Sequence, residues 1–146
     1  MSRELVNLRC KRAGQPTTNK EIGGIGGSYA SRTLPGDLTL ALEVGPPEAE
    51  YGTTVGGGPI VGCSDAQCVY GKGVADQLMS VATELDLSPQ AAVRATFESD
   101  ASHAMASGVS PRVGLLWPTL STHGYEVIRR DAIPEMSAVL VVFLLC

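Results

Sequence analysis

Glu43 is a carboxylate in the middle of an otherwise apolar stretch, Leu38-Thr-Leu-Ala-Leu-Glu-Val44, next to a Gly-Pro-Pro loop. In the alternation of that stretch it leaves the face of Leu40 and Leu42 and points with Thr39 and Ala41. Two readings compete: a solvated edge-strand acid, or an acid at the carboxyl end of a strand, where open α/β sheets place their ligand sites. His123 lies in a polar loop, Ser121-Thr-His-Gly124, and by itself reads as a surface histidine. Glu21, between Lys20 and a glycine-rich turn, says nothing alone. One histidine and two scattered acids are compatible with zinc-type chemistry, but their spacing does not establish it. Asp100 reads as a helix cap that can also brace a site loop, and His103 as helix surface or packed core.

Other chemistries are absent from the sequence. There is no nucleophile elbow and no supported Cys/His pair. Gly23-Gly-Ile-Gly-Gly27 and Gly56-Gly-Gly58 lack the spacing of dinucleotide or phosphate-binding loops, so they predict tight turns or close backbone approach. Cys10, Cys63, Cys68 and Cys146 form neither a zinc-finger spacing nor a disulfide framework and read as reduced thiols of a cytoplasmic protein. The net charge of −4, with no basic run, argues against nucleic acid. The apolar run from Ala138 to Cys146 is about half of a membrane span, which predicts a buried helix end and no membrane partner.

The 146 residues, 44% hydrophobic and 18% charged, suit one globular domain. Periodicity predicts helices over 4–12, 73–85 and 100–108, and a last one capped by Asp131 with Pro134 in its first turn. That last helix carries Ile133, Met136, Leu140, Phe143 and Leu144. Strands are predicted over 38–44, 92–97 and 112–117, with 125–129 a candidate fourth. Strands alternating with helices predict an α/β fold with a mixed, largely parallel sheet flanked by helices.

In order along the chain, five blocks resemble the dinuclear-metal aminopeptidases of the glutamyl aminopeptidase/cellulase-M type. They are Lys20-Glu-Ile-Gly-Gly-Ile-Gly-Gly27, Pro35 to Val44, Gly56-Gly-Gly-Pro-Ile60, Ser99-Asp-Ala101, and Trp117-Pro-Thr-Leu-Ser-Thr-His-Gly-Tyr-Glu126. The resemblance runs from about residue 19 to residue 146 and covers the carboxy-terminal part of the family's catalytic domain, without its separate assembly domain. It implies a Glu-Glu turn, a short small-residue helix and an apolar strand ending in an acid. It further implies metal ligands at Glu21, Glu43 and His123, two divalent ions (zinc or cobalt), and a peptide substrate whose carbonyl the ions polarise beside a nucleophilic hydroxide.

Lys20 stands where the family has its general base, and an ammonium cannot take up the water's proton. The histidine and bridging aspartate that the family supplies upstream have no counterpart among the 19 preceding residues. A catalytic zinc takes about three protein ligands plus water, so the site reads as incomplete. Both chain ends read as cut. The expectation is a partial catalytic domain, inactive alone, with an exposed apolar patch and self-association. The alternative is a non-catalytic interaction or assembly module in which Lys20 neutralises Glu21 and Glu43.

Overall fold

The computed structural model describes residues 14, 16–36, 38–47, 49–106, 112–118 (backbone only) and 124–145. The helix expected over 4–12 and His123 lie outside the described residues. Among the described residues four strands, β1 (Thr39–Gly45), β2 (Ile60–Ser64), β3 (Gln90–Val93) and β4 (Arg112–Pro118), form one sheet in the order β1-β4-β2-β3. β1 runs parallel to β4 and β2 parallel to β3, while β2 and β4 are antiparallel. The expected mixed, largely parallel α/β architecture is therefore present. Helix α1 (Ile25–Thr33) precedes β1, α2 (Lys72–Glu84) and α3 (Asp100–Ala106) lie between strands, and α4 (Ala132–Leu145) follows β4.

Three elements depart from the sequence expectation. The strand expected over 92–97 ends at Val93, because Arg94 turns inward and is 1% exposed. Its guanidinium lies 5.0 Å from the Tyr51 ring and 5.4 Å from the Phe97 ring, and its Nη2 donates to the Pro46 carbonyl. A side chain on Gly45 would strike that guanidinium, so the glycine permits the packing. Residues 125–129 form no strand: Tyr125, Val127 and Ile128 are exposed, so their alternation has no face to bury. Conversely, β2 pairs with both β3 and β4, and its Ile60 and Val61 are completely buried. Glycines on both sides left too short an apolar run there for a periodicity argument.

The main core joins Ala41 of β1, Val61 of β2, Leu78, Val81 and Ala82 of α2, Ala101 of α3 and Val139 of α4. Helix α2 ends with Asp86 in the left-handed region (φ 57°), where the Leu87 amide donates to Ala82 and Leu85 and Leu87 reach the core. Ser99 caps α3, its hydroxyl accepting from the Ala101 amide at 3.2 Å, so the cap falls one residue before the Asp100 expected from sequence. The Asp131 carboxylate is likewise taken up by Arg129, 2.5 Å away.

Helix α4 is apolar around most of its circumference. Met136, Val139, Leu140, Val142 and Phe143 pack inward, but Ile133, Val141 and Leu145 are 64%, 56% and 72% exposed and Leu144 is also exposed. The expected buried helix end is thus only half buried, because a helix apolar all round needs cover on two sides. A hydrophobic fluorescent dye is expected to bind this face, and Val141→Glu combined with Leu145→Lys to reduce its signal by about half or more. An unchanged signal would place the dye site elsewhere.

Candidate functional site

The turn from Thr18 to Gly24 carries Lys20 and Glu21. Asn19 sits in the left-handed region (φ 59°), a conformation asparagine tolerates. The turn is fastened to α1 by backbone bonds from Gly24 to the Lys20 carbonyl (2.9 Å) and from Gly26 to the Thr18 carbonyl (3.0 Å). Gly24 also has positive φ (58°), and any side chain there would collide with the His103 ring. Gly27 faces the Asp100 carboxylate with no room for a methyl group. These glycines let α1 lie directly on α3, a role different from gripping a phosphate.

On this base four charged groups converge. Lys20 Nζ is 3.5 Å from Glu21 Oε1, and its side chain is 20% exposed against 64% for Glu21. The same ammonium lies 4.9 Å from the centre of the Phe97 ring. Glu43, on the face of β1 that also buries Ala41, accepts a hydrogen bond from the Asp100 amide. Asp100 is the first residue of α3, and its Oδ2 accepts a bond from the Thr17 hydroxyl. The other Asp100 oxygen is buried with no hydrogen-bond partner among the described residues.

Burial pushes the Glu43 carboxyl from 4.5 to about 7. The Lys20 ammonium pulls it back down, the Asp100 charge pushes it up, the Asp100 amide lowers it, and Glu21 raises it again. The reading of Glu43 as a fully solvated edge acid therefore fails, although β1 does lie at the sheet edge. Of the sequence-level candidates, the fold brings together Lys20, Glu21 and Glu43. It adds Asp100 as a brace, as expected, and Thr17 and Phe97, which nothing in the sequence marked. His103 packs at the Gly24 contact, with Nε2 3.6 Å from Glu98 Oε2.

Beneath the loop that ends in Asp100 lies a polar network that sequence reasoning missed. The Tyr70 hydroxyl is 2.7 Å from both Asp65 Oδ2 and Ser99 Oγ, and burial pushes it well above the ordinary tyrosine range. Asp65 also accepts from the Ser99 amide at 3.2 Å. The network fixes the start of α3, and with it the amide that meets Glu43.

A family model described as M42 glutamyl aminopeptidase matches residues 4–139. The chain belongs to this family. Among similar solved structures is a TET aminopeptidase from a marine sediment archaeon of the Thaumarchaeota, at 21% identity and TM-score 0.78, covering 88% of this chain and 38% of that one. The TET1 peptidase of Pyrococcus horikoshii follows at 20% identity and TM-score 0.75, with the same two coverages. An aminopeptidase from Desulfurococcus kamchatkensis matches at 21% and 0.72, covering 87% and 38%. At these identities the likeness is one of fold. The chain spans 38% of the length of each of these structures. No curated protein matches it at a significant level.

The M42 family is one of metal-dependent aminopeptidases, so the donor set must be tested against a divalent ion. Among the described residues no group of three or more His, Cys, Asp or Glu side chains is placed to hold one. The ammonium of Lys20 stands against Glu21, where a second positive charge would be repelled. The described residues do not fit a dinuclear centre.

The buried carboxyl makes stability depend on pH. Its folded value lies above its unfolded one, so its contribution is complete below about 4.5 and is lost as pH rises through about 7. Denaturant unfolding is expected to show stability falling across that window by up to about 3 kcal/mol, and Glu43→Gln to flatten the slope. An equal slope in both proteins would contradict the assignment.

Proposed function

We propose that this chain is part of an aminopeptidase-type catalytic domain, related to the removal of amino-terminal residues from peptides, that does not hydrolyse peptides by itself. The observation that carries this reading is the convergence of Glu21, Glu43 and Asp100 around Lys20 in an M42 fold. Glu21, Glu43 and His123 stand at the ligand positions of the family pattern, and Lys20 at that of the general base. An ammonium paired with a carboxylate is the wrong species to accept a proton from water.

Self-association is part of the same reading. One similar structure is described as a dodecamer, and the Pyrococcus horikoshii peptidase is described as assembling into a tetrahedron or a large octahedral shell. The exposed apolar residues of α4 give this chain a reason to associate as well. Among the described residues no helix is long and apolar enough to cross a membrane. Cys63 and Cys68 form no disulfide among the described residues, which supports the reading of a reducing, cytoplasmic setting.

A non-catalytic interaction module is the competing reading, and the Lys20–Glu21 pair is the observation that favours it. Aminoacyl p-nitroanilides and short peptides, with zinc or cobalt added, separate catalysis from its absence. No turnover above buffer is expected from the chain alone. Metal-dependent release of amino-terminal residues would overturn the proposal.

A further inference from the structure

We propose that the ammonium of Lys20 takes the place of a divalent cation at the Glu21–Glu43–Asp100 cluster, giving the site a built-in counter-charge that excludes metal. The inference rests on the functional reading of Glu21 and Glu43 as former ligand positions.

Three observations carry it. The first is that Lys20 is held rather than free. Backbone bonds on both sides of it fix the turn, and its side chain is mostly buried, with Nζ 3.5 Å from Glu21 and 4.9 Å from the Phe97 ring. A lysine with no task at this point would extend into water, where its charge is best solvated.

The second is that the acids are already committed within the protein. Glu43 accepts the Asp100 amide, Asp100 accepts the Thr17 hydroxyl, and Glu21 faces Lys20. The Lys20 ammonium, 3.5 Å from Glu21, sets a positive charge against this cluster, as a bound cation would.

The third is repulsion. A doubly charged ion entering beside a fixed ammonium is disfavoured at such separations, more so in a half-buried pocket than in water. Metal could enter only if Lys20 swung out, giving up Glu21 and the Phe97 ring together.

Cobalt(II) alone is the probe, followed by its visible absorption, by calorimetry and by its effect on Tm, in the full chain and in Lys20→Met and Lys20→Arg. Wild type and Lys20→Arg are expected to bind no cobalt up to about 1 mM and to keep the same Tm with or without it. Lys20→Met should be less stable in metal-free buffer, regain stability with cobalt, and bind it at least about tenfold more tightly than wild type. Micromolar cobalt binding by wild type, or a Lys20→Met response no larger than that of wild type, would overturn the proposal. Should Lys20→Met fail to fold in either buffer, the wild-type titration decides. Micromolar binding then overturns the proposal, and none up to about 1 mM upholds it. Cobalt binding without peptide hydrolysis defeats this proposal alone, and hydrolysis without cobalt binding defeats the functional reading alone.

Discussion

Burying a glutamate beside two other carboxylates disfavours its charged form, and in this fold the Lys20 ammonium offsets part of that cost. On β1 against α3, the Lys20 ammonium and the Asp100 amide both favour the charged form of Glu43, against its burial and the neighbouring acids. The surrounding architecture serves this arrangement. The turn that carries Lys20 is tied back to α1, and α1 lies close on α3 because Gly24 and Gly27 have no side chains. The start of α3 is fixed by Ser99, Asp65 and Tyr70, which hold the Asp100 amide towards Glu43. Loosening any of these supports would be felt at the acid cluster.

The long, periodic elements were legible in the sequence. β1, α2 and α4 carry apolar patterns that decide their type, and the structure returns them within a residue or so. Short elements governed by tertiary contacts were not. β3 is cut at Val93 by a buried arginine whose aromatic partner Tyr51 lies far away in sequence, and β2 is a central strand of only five residues containing a glycine. At the site, residue types and order pointed to Lys20, Glu21 and Glu43 through a family resemblance, whereas spacing alone did not. The brace from Thr17 to Asp100 joins residues 83 positions apart, a contact no local pattern encodes.

On the proposed reading, family membership and chemistry separate in this chain. At about one residue in five identical, the sheet, its helices and their order still match archaeal aminopeptidases. Backbone architecture depends on apolar pattern and glycine placement, which tolerate wide substitution. A metal centre depends on a few side chains, and one change of charge among them alters what the pocket can hold. On the proposed reading Lys20 is such a change, because it brings a charge of opposite sign to that of a carboxylate ligand or base.

The central claim, that Lys20 is the counter-charge of a buried acid cluster, is tested most directly by following the Glu43 side-chain carboxyl through a pH titration by carbon NMR. Wild type and Lys20→Met should be compared in metal-free buffer. The account predicts a Glu43 midpoint near 7 in wild type and a further rise once the ammonium is gone. A wild-type midpoint at the ordinary glutamate value, or one that stays put in Lys20→Met, would contradict it.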